Sequence, residues 1–334
     1  MSDALTALRD GMRRVNRAPA ILFGVWIVTV VAVALPALVL GRTIARDLND
    51  SLIADAVAAG IDDTWIREFA QRSGSLGATF GPAILGGGAV LENLSAIADA
   101  TPRPAAITAV ATVYLVAWLF LAGGILDRYA RDRATRAHGF FAACGVYFFR
   151  FLRLAVLQAI VYGILFGIVH AWLFGSTYER LVALTTTERA AFTVRVVLYL
   201  VFALLLAAAN LVFDITKIRA VVEDRRSMMG ALSQALGFVR RNGAVAALLY
   251  VLNVGLFVGA VALDVMAAPE VGRGILVWGV VAMAQLFVIA RIWLKLTFWA
   301  SETSLFQMRL AHAGYVARPE PMWPESPAAE AISG

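Results

Sequence analysis

The residues of this chain whose types could do chemistry are the polar ones set within or beside long apolar runs. They are Gln158, His170, Asn210, Asp214, Asn253, Gln285, Arg291 and Lys295. A polar group in hydrocarbon is costly and a charged one more so, and such residues therefore pair with one another or line a pathway. Arg291 and Lys295 stand four apart and share a helical face. Two readings of them are open: anchors that snorkel to a membrane surface, or an ion pair between Arg291 and Asp214 that locks two helices and gates or simply holds them. Asn210, Asn253 and Gln285 divide in the same way between lining a polar pathway and bonding a neighbouring helix, the latter for about 0.6 to 2 kcal/mol apiece. His170, near the end of its run and without an acid beside it, is an interfacial histidine before it is a proton relay.

Signatures of enzymes are missing. The sequence holds no GxSxG elbow and no Walker A loop, and "GSLG" at Gly74–Gly77 lacks the paired histidine of an intramembrane serine protease. The single cysteine, Cys144, excludes an internal disulfide, and His138, His170 and His312 are too scattered to form a metal motif. The expectation is a protein that is not an enzyme, with no cofactor and no metal. A net charge of +6 would suit a nucleic-acid binder only if it formed a basic face on a soluble fold, and here the basic residues flank apolar runs. Nucleic acid is therefore not an expected partner; membrane lipids are.

The elements that must position these residues follow from composition. With 60% hydrophobic and 16% charged residues in 334, the chain is too apolar for a soluble domain. Six segments have the roughly 20 apolar residues that cross a bilayer: Ala18 to Leu40, Ala105 to Leu126, Leu154 to Phe174, Val196 to Phe213, Ala244 to Leu263 and Ile275 to Leu296. The first exceeds a signal-peptide core and reads as an uncleaved span. With both termini inside, 20 of the 29 basic residues fall on the inner side, so the positive-inside rule places both termini in the cytoplasm.

The uncharged, glycine-rich run from Gly74 cannot be a seventh span, because that would put "DRYARDRATRAH" outside. It is either re-entrant or a helix on the outer surface, and Pro82, Gly86, Gly87 and Gly88 mark it as a compact lid. It belongs to a long outer insertion, residues 41–104, in which Asp62 is placed to cap a helix and Trp65, Ile66 and Phe69 fall on one side.

Short amphipathic stretches precede the first, third and fifth spans. They carry Leu5, Leu8, Met12 and Val15; Phe141, Tyr147, Phe148 and Phe151; and Met228, Leu232, Ala235 and Val239, with Ser227 as a cap. The aromatic set suits a belt at headgroup level. The expected fold is all-α: a polytopic membrane bundle of six transmembrane helices in three hairpins, each preceded by an amphipathic elbow helix. Residues 1–17 form the first elbow, 18–317 the membrane domain, and the proline-rich 318–334 a disordered tail in which Trp323 could dock a partner. Gly255 and Gly259, like Gly163 and Gly167, have the GxxxG spacing of helix contacts.

The stretch "VVEDRRSMMGALSQALGFVRRN", through Glu223, Ala231, Leu232, Arg240, Arg241 and Asn242, resembles a pattern in uncharacterised six-span bacterial inner-membrane proteins. Those are related to the membrane domains of some glycerophosphodiester phosphodiesterases. The resemblance implies a bacterial inner-membrane location and a six-helix bundle. It carries no catalytic residue over, since no soluble domain that could be a phosphodiesterase is expected here. The expected function is to move or organise a hydrophobic or small solute at the membrane. The alternative is an accessory subunit that holds an envelope protein partner through the outer insertion, presenting an apolar patch around Trp65.

Overall fold

The structure is a computed structural model that describes residues 2–49, 51–59, 62–81, 86–267 and 275–310. The chain is all-helical, with no strand among the described residues. Its helices are α1 (Ser2–Asn16), α2 (Pro19–Asn49), α3 (Ala54–Ala59), α4 (Asp63–Arg72), α5 (Gly74–Gly77), α6 (Gly86–Ala98), α7 (Ala105–Arg131), α8 (Ala137–Ile164), α9 (Tyr178–Val182), α10 (Glu188–Val222), α11 (Met228–Ala267) and α12 (Ile275–Arg309). Two wide π-helical turns, Leu165–Val169 and Trp172–Thr177, join α8 to α9. Six helices are long and apolar enough to cross a membrane, so the chain has the build of a multi-pass membrane protein. They are α2, α7, the run from α8 to Val182, α10, α11 and α12. The third is much longer than its apolar core, because "GSTYERLV" continues the helix where the sequence suggests a loop.

The core is concentrated at one end of the bundle, and α1 helps to build it. α1 packs along α12 and touches α11, burying Ala4, Ala7, Leu8 and Val15. The face is rotated from the expected one: Leu5 is exposed, and small residues take its place. The reason is proximity, since a Cβ on Gly11 would stand 2.6 Å from the backbone nitrogen of Ser301. Small side chains let two helix backbones meet this closely. α7 meets α8 in the same manner, with Gly123 and Gly124 against Ala143, Cys144 and Phe140.

The aromatic stretch at the start of α8 splits. Tyr147 and Phe151 turn into the core, while Phe141 and Phe149 remain exposed. In the third amphipathic stretch Met228, Ala231, Ala235 and Phe238 are buried, and the Ser227 hydroxyl accepts a hydrogen bond from the Gly230 N–H at 3.3 Å. A break at Asn242 (φ −116°, ψ 17°) separates this stretch from the rest of α11. The glycines with GxxxG spacing do not pack: nothing lies within 4 Å of a Cβ built on Gly163, Gly167, Gly255 or Gly259.

In the insertion, Asp62 caps α4 by accepting from the N–H groups of Thr64 and Trp65. Trp65, Ile66 and Phe69 are buried against Leu40, Ile44, Leu48 and Phe80. Residues 318–334, with Trp323, and also His312 and Gly60, lie outside the described residues.

These contacts separate glycines that pack from glycines that do not. Gly11→Ala should lower the thermal midpoint in detergent, with an overpacking cost of about 1 to 3 kcal/mol. Gly163→Ala and Gly255→Ala should leave it unchanged, and tryptophan-fluorescence melts of the three variants check this.

Candidate functional site

Asn210, Asp214 and Lys217 follow one another at i, i+4 and i+7 on α10, and Lys295, Trp299 and Glu302 do the same on α12. Each set forms one stripe of its helix. The packing of α10 on α12 brings the stripes together as a seam of two carboxylates and two ammonium groups.

Asp214 is 1% exposed on its side chain and occupies the centre. Lys217 Nζ donates to its Oδ1 at 2.9 Å, and Asn210 Nδ2 donates to Oδ2 at 3.3 Å. Lys295 Nζ approaches Oδ2 from α12 at 3.9 Å. Both lysines rest on the Trp299 ring, with Nζ 4.9 Å (Lys295) and 5.7 Å (Lys217) from its centroid. The Trp299 indole lies beside Asp214, yet its N–H makes no hydrogen bond of good geometry. Tyr250 of α11 lies beside Asn210 and packs edge-on against Phe298.

Glu302 is the unusual member. It is 2% exposed, and neither carboxylate oxygen has a hydrogen-bond partner. The charges acting on it are Asp214, Lys295 and Lys217. Lys217 is hydrogen-bonded to Asp214 and Lys295 lies 3.9 Å from it, so the seam contains one hydrogen-bonded acid and one without a hydrogen bond. Burying an ion costs several kcal/mol unless charge and hydrogen bonds compensate it. What such an arrangement can do is accept a positive charge beside Glu302, or pass a lysine from one acid to the other. Among the described residues no three His, Cys, Asp or Glu side chains gather as a metal site requires.

Of the residues singled out in the sequence, Asn210, Asp214 and Lys295 belong to the seam. Arg291 does not pair with Asp214; its guanidinium lies 5.8 Å from the Phe287 ring centroid. Lys295, one turn on, takes the place expected of it. Gln285 accepts from Trp26 Nε1 at 3.0 Å and so ties α12 to α2. Asn253 donates to Ser301 Oγ at 3.1 Å, joining α11 to α12. Gln158 neighbours Tyr162. His170 Nε2 sits 2.8 Å from the Ala98 carbonyl, and its ring is 4.5 Å from that of Phe174. Lys217, Trp299, Tyr250 and Glu302 escaped the sequence reading. The i, i+4, i+7 spacing was the signal that could have found the first two and Glu302.

The lid residues lie apart from the seam. Pro82 is outside the described residues. Gly86 opens α6 with φ +59°, a left-handed conformation that favours glycine. The N–H of Gly87 donates to Asp264 Oδ2 at 2.6 Å, and a Cβ there would stand 2.6 Å from Val265 Cγ2. Gly88 is half-buried in the same turn. α6 thus lies on α11, with contacts to α10 and α12. Beyond it Arg103 bonds Glu92 and Asn93.

Comparison with known proteins gives no match: no family model, no curated protein and no solved structure aligns with this chain.

The seam predicts a coupled response. Lys217→Met removes the nearest ammonium from Asp214 and should cost about 3 kcal/mol. Asp214→Asn with Lys217→Met should recover much of that loss, while Arg291→Gln should stay within about 0.5 kcal/mol of the parent. Thermal melts in detergent measure all four proteins.

The α6 contact predicts a local response. With Cys144→Ala as background, a cysteine at Ala89 should react several-fold faster with a soluble maleimide once Asp264 is replaced by alanine. Equal rates would mean that the Asp264 bond does not hold α6.

Proposed function

We propose that this chain is a non-enzymatic protein of the bacterial inner membrane that moves or organises a small or hydrophobic solute, with the α10–α12 seam as its working site. Both termini face the cytoplasm in this reading, and the three amphipathic stretches act as elbows ahead of three hairpins. The basic-residue asymmetry supports that orientation.

One observation carries the proposal: Glu302 is buried within a bundle of apolar helices with both carboxylate oxygens unpartnered, next to an acid that holds two lysines. Ionisable groups buried between the helices of such a bundle are expensive and mark pathways for ions, protons or solutes. A solute or ion that brings positive charge to Glu302 would redistribute the two lysines, and this links occupancy to the packing of α10 against α12. The accessory-subunit reading receives less support. Trp65 is 4% exposed and its Nε1 donates to Asp47 at 3.0 Å, so the indole itself is turned inward and is not presented to a partner.

The test uses inside-out membrane vesicles containing the parent protein or Glu302→Gln. The vesicles are energised to hold a pH gradient, reported by acridine orange, and exposed to cationic, zwitterionic and anionic solute panels. At least one panel should dissipate the gradient in parent vesicles and not in Glu302→Gln vesicles of equal protein content. Identical traces for every panel would remove the seam from any coupled movement.

A further inference from the structure

A second charge cluster, distinct from the seam, lies where the C-terminal ends of α1 and α7 meet. Asp132 ends α7 in the left-handed conformation (φ 46°). Its Oδ2 is approached by Arg13 at 3.4 Å and by Arg17 at 3.9 Å, while its Oδ1 is buried without a hydrogen bond. Asp10 pairs with Arg13 and, at 2.8 Å, with Arg14. Arg14 is held further: its Nη1 also donates to the Tyr129 carbonyl at 2.6 Å and to Gln307 Oε1 at 2.8 Å. Arg128 completes the group. It is 6% exposed, its Nη1 has no hydrogen-bond partner, and Asp132, Arg14 and Arg17 are the charged side chains around it.

Four guanidinium groups therefore share two carboxylates. The neighbouring Asp127 pairs with Arg131 at 2.8 Å, one carboxylate against one guanidinium. Two positive charges are left over, and one of the arginines is a nine-tenths buried side chain with an unmet donor. An anion would compensate both deficits. Arg13 and Arg17 open the corner to solvent, their side chains being 52% and 57% exposed. The corner also has the depth of a headgroup: Arg128 lies in the last turn of a membrane-crossing helix, and Arg17 stands two residues before the start of α2. Basic pockets between membrane helices at this level take anionic headgroups, and the guanidinium fork matches two phosphate oxygens at once.

We infer that Arg13, Arg17 and Arg128 form a binding site for a phosphate group, supplied by an anionic phospholipid or by free phosphate. The test uses the purified full-length protein in detergent, with thermal midpoint and native mass spectrometry as readouts. Phosphatidylglycerol, phosphatidylcholine and inorganic phosphate are each titrated. Phosphatidylglycerol should raise the midpoint and stay bound, while phosphatidylcholine should do neither. Arg17→Gln and Arg13→Gln, at exposed positions and compared with the parent by lipid-free melts, should each weaken the phosphatidylglycerol effect about tenfold, the scale of one charge-assisted contact. Arg46→Gln, an exposed arginine at the far end of α2, should not. Stabilisation by inorganic phosphate with the same sensitivity to Arg17→Gln would support the site with free phosphate as its source. Equal effects of the two lipids without any phosphate effect, or loss of binding in none of the Arg13 and Arg17 variants, would overturn the inference.

Discussion

The close approach of α1 to α12, made where Gly11 faces the backbone of Ser301, is the constraint on which the rest of the bundle depends. The last turns of α12 carry Ser301, Glu302, Thr303 and Ser304 in succession, and none is more than 2% exposed. Such a sequence would ordinarily sit in water at the end of a membrane helix. Here α1 covers it on one side and α10 and α11 on the others. Two of the hydroxyls are satisfied within the bundle: Thr303 donates to the Trp299 carbonyl at 2.7 Å, and Ser301 donates to the Phe298 carbonyl while accepting from Asn253. One turn beyond Gly11, Arg14 spans from α1 to the α7 carbonyl of Tyr129 and to Gln307 of α12. Placing one glycine thus fixes the relation of three helices and turns the polar end of α12 into interior.

That interior dictates how charge can be kept in it. A lone ion there would pay a desolvation cost that its surroundings could not return. The seam answers by setting two lysines beside its two acids and resting both lysines against the Trp299 face, where attraction to the ring adds to the Coulomb term. The distribution within the seam is uneven, since Asp214 has both lysines and Asn210 while Glu302 has no hydrogen bond. Lys295, with 41% of its side chain exposed and 3.9 Å from Asp214, is the looser of the two lysines.

The sequence discloses the spans because they depend only on length and hydropathy, and it discloses local caps such as Asp62 and Ser227 because they depend on two or three neighbouring residues. It also places Trp65, Ile66 and Phe69 on one buried face. What it hides are relations that depend on a distant helix. Glu302 follows the apolar run of the sixth span and resembles solvated end residues; only the covering by α1 shows otherwise. Lys217 looks like one more inner-side cation until the approach of α12 gives it Trp299. Glycine spacing misleads for the same reason. The GxxxG pairs carry a familiar spacing and face open space, whereas Gly11, Gly123 and Gly124 carry no such pattern and make the close contacts. The choice of Arg291 over Lys295 as partner of Asp214 turns on one helical turn of axial register, about 6 Å, which periodicity alone cannot anchor to a neighbour.

The insertion at residues 41–104 is tied to the helices that build the seam. At its start, α6 is bonded through Gly87 to Asp264 of α11. At its end, the Ala98 carbonyl meets His170, and Asp99 accepts a hydrogen bond from the Tyr199 hydroxyl of α10. The π-helical turns on either side of His170 change the register of that helix, and Phe174 and Phe202 pack around the imidazole where α6 ends. Tyr199 and Asn210 are eleven residues apart, about three turns, and therefore lie on one stripe of α10. A single rigid helix face thus carries the tie to the insertion at one end and the first residue of the charged seam at the other. An axial shift or rotation of α10 that rearranged the lysines around Asp214 would move Tyr199 with it, and the insertion would have to follow or lose its bond.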